Sequence, residues 1–375
     1  MRPLQKINKW VILISIAFIM SSCHFVRYFY WNYANINDGE KFPAFTIENQ
    51  ETVFNFKQSP KNFNFNIPQK YLSNNENCEF NSFLETHETV AFLVIRDDTI
   101  LFEKYFSDFD KNSLLISFSI AKSFVSALIG IAIDEGLIKN VHQPITDFLP
   151  KLKENDERFS KITIEHLLNM RSGIKFSEEY NSPFALMAKF YYGTNLKKYV
   201  YNLKIEKDPD IEYKYQSANT QILAMIIEKA SGKQFYQYFE EKLWKPLQTK
   251  SIAKWNYDSK KHENIKSFCC LNATAVDFAK FGRLYLKNGK LNNNTIISES
   301  WINSSTTIMN DSRDSQNYPY TYHWRVKEDG AYFAKGILGQ YIYVYPEKNL
   351  IFLRFGESYG DIDWAEFFED ISDQL

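Results

Sequence analysis

Three short stretches of this chain carry residues suited to acyl transfer. In SFSIAKSFVSALIGIAIDEG (117–136), Ser119 and Lys122 stand three residues apart at the mouth of an apolar run. Helical positions three apart share a face, which puts the Lys122 amine within reach of the Ser119 hydroxyl. Burial disfavours a charged ammonium, so a lysine entering a buried helix is a candidate base for the neighbouring serine proton. The helix N-terminus adds a backbone N–H and a positive dipole end, both suited to a developing oxyanion. Downstream, YKYQSANTQILAMIIEKASG, from Tyr213, holds Tyr215 and Ser217 just ahead of a second helix. AKGILGQYIYVYP, from Ala334, sets Gly336, Gly339 and Gln340 at the start of a strand, where small residues let a ligand approach the backbone.

The Ser-x-x-Lys spacing alone is weak, because Ser172–Lys175 and Ser251–Lys254 repeat it. Neither of those opens a long apolar helix. His166, beside Leu167 and Leu168, reads as a hydrogen-bonded structural histidine rather than a base.

The elements that position these residues follow from periodicity. TVAFLVIRDDTILFEKYF (89–106) is two β-rich runs around Arg96, Asp97 and Asp98, a hairpin. The run from Ser119 to Glu135 is apolar on every face and is stopped by Gly136, the pattern of a buried helix. Pieces broken by Pro144, Pro150 and Gly173 lead to helical stretches near 183–206, 219–230 and 235–244. ATAVDFAKFGRLYLKNG (273–289) is an amphipathic helix with Thr274 and Asp277 in a capping-box-like start and Gly289 as a stop. YTYHWRV, AYFAKG, QYIYVYP and LIFLRFG are strands, and DWAEFFEDI a terminal helix. Strands at both ends with helices between them predict an α/β (α+β) fold: one antiparallel sheet flanked by helices, with a mostly helical lobe inserted over about 140–265.

With 375 residues, 45% of them hydrophobic, and a formal net charge of -1, the chain has a substantial core and no basic surface for nucleic acid. Its first 23 residues stand apart. MRPLQKINKWVILISIAFIMSSC has a basic start, an apolar run from Trp10 to Met20, two serines and Cys23. That run is shorter than a spanning helix needs and resembles a bacterial lipoprotein signal, which implies a lipid on Cys23 and a cell-envelope location facing the periplasm or exterior. An uncleaved anchor continuing into HFVRYFYW is the alternative. Residues 24–81 show no convincing helix and are expected as a tether lying over the surface of a domain spanning 82–375. Cys78, Cys269 and Cys270 are expected as buried free thiols, with a bridge from Cys78 to the pair left open.

Ser119-Ile-Ala-Lys122, HLLNMRSGI (166–174), Tyr215-Gln-Ser217 and the glycine strand occur in an order that resembles the serine β-lactamase and penicillin-binding superfamily, on the class C and esterase side. The resemblance covers roughly residues 85–370. Within that group the Tyr-x-Ser pair, CCLNATAVDFAKFGRLYL (269–286) and Gly336-Ile-Leu-Gly-Gln340 look most like the 6-aminohexanoate-dimer hydrolase branch. The resemblance implies a β-lactamase/transpeptidase-like fold working without metal or cofactor. It makes Ser119 the acylated nucleophile, Lys122 its activating partner and Tyr215 the proton shuttle. The N–H groups of Ser119 and Ile337 would form the oxyanion hole, with Ser217, Gly336, Gln340 and Tyr180 of FSEEY as candidate substrate contacts. Two departures stand out: Ser217 replaces the Asn of Tyr-x-Asn, and Lys335-Gly336-Ile337 lacks the Thr-Gly that follows the family's strand lysine. They imply an amide or ester of a small molecule or peptide rather than penicillin as substrate. A binding or sensor module without turnover, and a cell-wall D-alanyl peptidase, are the competing readings.

Overall fold

The two ends of the chain build one sheet. In the computed structural model, which describes residues 23–31, 33–61, 63–72, 78–292 and 294–375, the order begins with α1 (Cys23–Trp31), β1 (Ala44–Ile47) and β2 (Lys57–Gln58). Then come α2 (Phe80–Thr86), the hairpin β3 (Thr89–Arg96) and β4 (Thr99–Tyr105), β5 (Leu115–Ile116) and α3 (Ala121–Asp134). A mostly helical stretch follows, with α4 (Leu186–Tyr192) and α5 (Ser217–Ser231), then β6 (Ala253–Asn256), β7 (Leu271–Ala273) and α6 (Ala275–Leu286). The chain closes with β8 (Tyr320–Thr321), β9 (Trp324–Val326), β10 (Tyr332–Gly336), β11 (Gln340–Tyr345), β12 (Leu350–Gly356) and α7 (Trp364–Ser372). The expected lipoprotein signal, residues 1–22 with the Cys23 side chain, lies outside the described residues. Among the described residues no helix is long and apolar enough to cross a membrane.

The eight-stranded sheet runs β8-β9-β10-β11-β12-β3-β4-β2, so the C-terminal strands meet the early hairpin at β12 against β3, where Leu353 faces Leu93. Every neighbour is antiparallel except β2 beside β4. The strands are apolar on both faces because both are covered, and their residues alternate between two cores. Leu93, Ile95, Ile342, Val344, Ile351 and Leu353 join the larger core with α3 and α6. Phe92, Val94, Tyr341, Tyr343 and Phe352 join the smaller one with α2 and α7. There Trp364, Phe367 and Phe368 are fully buried, each contributing on the order of 1.5–3 kcal/mol. Helix α6 crosses the sheet at Gly282, where a Cβ would lie 3.0 and 3.1 Å from Ile342 and Ile351.

The expected buried helix is α3, enclosed from Ala121 to Ala132. Two expected helices differ in detail. The stretch 183–206 divides into α4 and a helix Leu196–Tyr201, and 235–244 is helical at Phe235–Phe239 and widens into a π turn over Glu240–Trp244. The start of α6 is half a capping box: Thr274 accepts the Asp277 N–H, but the Asp277 carboxylate takes the Lys250 and Ser251 N–H groups at 2.7 and 2.9 Å.

Within residues 24–81 the expectation of no convincing helix does not hold. The chain there begins in a helix, α1, and adds β1 to a second, four-stranded sheet ordered β1-β6-β7-β5. Its isolated helical tendency is weak; tertiary burial decides it, with the Tyr28 ring edge-on to Tyr192 at 5.4 Å.

Candidate active site

Ser119 sits on a sharp corner. Ser117 is tied to β7 by its N–H to the Leu271 carbonyl (2.8 Å) and by the Leu271 N–H to its hydroxyl (3.2 Å). Phe118 then takes φ 41°, a left-handed conformation costly for a bulky residue, and the Ile120 N–H makes the first helical bond, to Ser117 (3.2 Å). Ser119 therefore precedes the ladder of α3. One turn on, Lys122 is 1% exposed; its Nζ donates to Ser119 Oγ at 2.8 Å and to the Phe268 carbonyl at 3.0 Å. The same Nζ stands 4.9 Å from the centre of the Tyr215 ring.

Tyr215 comes from the extended chain before α5, which is clamped by the Lys214 N–H to the Met170 carbonyl (2.8 Å) and the Gln216 amide to the Ile174 carbonyl (2.7 Å). Its ring lies edge-on to Tyr320 at 6.0 Å, with the Arg325 guanidinium 5.8 Å away. Ser217, at the first turn of α5, gives its N–H and hydroxyl to Glu178. Glu178 also accepts the Tyr180 hydroxyl (2.9 Å), so one carboxylate ties the two candidate substrate contacts together.

The opposite wall is the β10–β11 turn. A Cβ on Gly336 would lie 2.6 Å from the Ser117 carbonyl, so only glycine lets this strand approach the corner. Among the described residues the Ile337 N–H has no backbone acceptor. The turn is held from behind. Arg354, fully buried, donates to the Gly339 carbonyl at 2.7 Å, and the Gln340 amide spans Gly356, giving to its carbonyl (2.7 Å) and accepting its N–H (3.0 Å). Gln340 is thus a brace, not a substrate contact. The Tyr359 hydroxyl donates to the Gly336 carbonyl at 3.1 Å, and burial lifts it to about 12.

Two cavities meet at this corner, sharing Ser119, Tyr180, Ile337 and Tyr359. One, of about 250 Å³, is aromatic and apolar, with Phe118, Met187, Tyr191, Tyr192, Phe268 and Leu338, and with Tyr33 and Ala34 from the N-terminal segment. The other, of about 300 Å³, holds Glu178, Tyr213, Tyr215, Asp314, Arg325 and Lys335. Asp314 pairs with Arg325 at 2.5 Å; burial raises its carboxyl, but the guanidinium outweighs that and holds it below its ordinary value. Burial, then the Arg325 charge, brings Lys335 down to about 8.

Ser119, Lys122, Tyr215, Ser217, Tyr180, Gly336 and Ile337 therefore converge, and Gln340 stands behind them. The other Ser-x-x-Lys copies do not form pairs: Ser172 is buried against Asn219 (2.8 Å) with Lys175 exposed, and Lys254 is exposed on β6. His166 caps its helix reciprocally with Thr163, as a structural histidine should. Sequence reasoning missed Glu178, Asp314, Arg325 and Tyr359, which come from separate segments with no shared spacing, and named Lys335 only as a strand lysine without the Thr-Gly that follows it in the family. It also missed His323, whose Nε2 meets Thr220 at 3.1 Å and whose ring burial, then the Lys122 charge, holds well below the usual imidazole value.

The cysteines correct an expectation. Cys269 and Cys270 are joined to each other and Cys78 is free. Cys270 turns at φ 69°, which brings adjacent side chains together where an extended strand would point them to opposite faces. Among the described residues no group of three or more His, Cys, Asp or Glu is placed to hold a metal ion.

A family model described as Beta-lactamase matches residues 81–356. The chain is 26% identical over 296 residues to the 6-aminohexanoate-dimer hydrolase of Paenarthrobacter ureafaciens, covering 72% of this chain and 73% of that protein. A solved Bacillus anthracis protein, provisionally named a 6-aminohexanoate-dimer hydrolase, superposes with a TM-score of 0.75 at 20% identity over 94% of each chain. A penicillin binding protein from Bacillus halodurans superposes at 0.63 and 16% identity, over 80% of this chain and 100% of that one. At these identities the structural likeness speaks for the mixed α/β fold expected from the sequence, and the family model for kinship. The chain belongs to the beta-lactamase family, a family of β-lactamase-fold hydrolases.

Proposed function

We propose that the protein is a serine hydrolase cleaving an amide or ester bond of a small molecule or peptide through an acyl-enzyme on Ser119. The observation that carries this reading is the 2.8 Å bond between Lys122 Nζ and Ser119 Oγ, from a lysine buried inside the fold. Lys122 Nζ takes the Ser119 proton as Oγ bonds to the substrate carbonyl carbon. The carbonyl oxygen becomes an oxyanion received by the N–H groups of Ser119 and Ile337. Tyr215 hands a proton to the leaving nitrogen or oxygen, the scissile bond breaks, and the first product departs. Water then attacks the acyl carbon, its proton passing back through Tyr215 and Lys122, and Ser119 is regenerated. A positioned acid or base contributes roughly a hundred- to ten-thousand-fold, and one oxyanion donor about a hundred- to a thousand-fold.

The two cavities divide the substrate. An apolar portion fits beside Phe118 and Phe268, and a polar or anionic portion beside Arg325 and Lys335. The relative named as a 6-aminohexanoate-dimer hydrolase supports a linear amide or ester. An activated phosphonate ester tests the reading: the wild type should be labelled at Ser119 and Ser119→Ala should not, whereas equal labelling of both would sink it.

Residues 1–23 support a protein held at the bacterial cell envelope by a lipid on Cys23. Cys23→Ala should move it from the detergent phase to the aqueous phase; a variant that stays with detergent would mean another kind of anchor.

A further inference from the structure

Helix α1 presents an apolar face outward. Inward, Tyr28 meets Tyr192, Trp31 meets Phe42 with ring centroids 4.9 Å apart, and Arg27 turns its guanidinium to the Asp258 carbonyl at 3.2 Å. Outward stand Val26, Phe29 and Tyr30, spaced as one helical stripe, with Phe29 69% and Tyr30 81% exposed. Tyr33 extends the stripe just past the helix, and Phe184, 78% exposed, adjoins it through an edge contact with Phe25 at 5.3 Å. The stripe carries no charge. Single exposed apolar residues are ordinary; a contiguous uncharged set is an interaction surface.

We propose that this face seats on a lipid bilayer and turns the mouth of the apolar cavity toward it. The occupant follows from where the rest of the chain attaches. The apolar run Trp10–Met20, preceded by Arg2, Lys6 and Lys9, ends two serines before Cys23, the first residue of α1, so a lipid on Cys23, or the run itself where it is kept, holds this helix against the bilayer. Val and Phe enter the acyl boundary while tyrosine hydroxyls stay with headgroups and water, the arrangement that aromatic residues take at membrane surfaces. The same surface reaches the site. Tyr33 and Tyr180 line the apolar cavity, and the Tyr28 hydroxyl meets the Tyr180 carbonyl at 3.5 Å. The substrate class that follows is an amphiphile, an amide or ester with a hydrocarbon portion dissolved in the bilayer. The seating is independent of the hydrolytic reading; delivery of substrate from the bilayer rests on it.

The test uses the full chain reconstituted in phosphatidylcholine–phosphatidylglycerol vesicles containing a phospholipid with a diazirine on the upper acyl chain. After irradiation and peptide mass spectrometry, label is expected in peptides spanning 26–33 and 180–187. Absence of label from both of these peptides, with lipid labelled elsewhere on the chain or not at all, overturns the seating. A second arm compares wild type with a Phe29→Ser/Tyr30→Ser variant, two residues that line neither cavity. Turnover of a soluble short-chain ester should be unchanged, while the same ester on a long alkyl chain in vesicles should turn over about tenfold more slowly. Equal turnover of the vesicle-borne ester overturns delivery from the bilayer. Absence of turnover on the soluble ester in wild type would fail the hydrolytic reading, with the labelling result still deciding the seating.

Discussion

Ser217 gives both its backbone N–H and its hydroxyl to Glu178, at 2.7 and 2.6 Å. The carboxylate thereby closes the N-terminus of α5, two residues after Tyr215, and faces the positive end of that helix. Ser217 is a positioning residue on this geometry. Ser217→Ala should cost about 1–3 kcal/mol in urea unfolding and leave KM for an ester probe unchanged. Glu178→Ala should lower kcat as well, because the chain carrying Tyr215 loses its tie. A large rise in KM with no loss of stability would instead make Ser217 a substrate contact.

Lys335 supplies a pH signature. Its folded value of about 8 means that the ammonium is present below that pH and lost above it. For a substrate with a carboxylate on the Arg325 side of the cleft, KM should be flat below pH 8 and rise above it. In Lys335→Met it should be high and flat throughout. An uncharged ester showing the same rise would contradict the assignment. By linkage, the unfolded chain holds this proton more tightly than the folded one, so Lys335 adds stability as pH climbs from 8 toward its ordinary value.

Arg354 holds the glycine turn from inside the sheet. It donates to Thr89 (3.0 Å) and to the carbonyls of His87 (2.7 Å), Gly339 (2.7 Å) and Ser358 (3.1 Å), and its guanidinium stacks 3.9 Å from Trp364. Burial pulls it down to about 9. Arg354→Met fills similar space but leaves buried carbonyls without donors, at about 1–3 kcal/mol each. Thermal unfolding should fall well below wild type, and kcat should drop more than KM rises, because the Ile337 N–H is no longer fixed. Unchanged kcat in a folded variant would release Arg354 from that role.

The readable parts of this chain are those where a local pattern and the global fold agree. β3, β11 and β12 are continuous apolar runs because both sheet faces are covered, and α3 is apolar all round because it is enclosed. Ser119 and Lys122 were legible for the same reason, since one helix turn sets their spacing. Glu178, Arg325 and Lys335 lie in three different segments and become neighbours only through tertiary structure, so no window of sequence joins them. α1 and the Cys269–Cys270 bridge were misread because each depends on surroundings: aromatic packing in the first, a left-handed backbone turn in the second.

The central claim is a covalent intermediate on Ser119 formed with Lys122 as base. Rapid acid quench of the full chain during turnover of a slow-deacylating ester, followed by intact and peptide mass measurement, tests it most directly. The account predicts a mass increase equal to the acyl group, located on the peptide containing Ser119. It should be absent in Ser119→Ala and form roughly a hundred- to ten-thousand-fold more slowly in Lys122→Met. Turnover without an adduct, or an adduct that persists in Ser119→Ala, would contradict it.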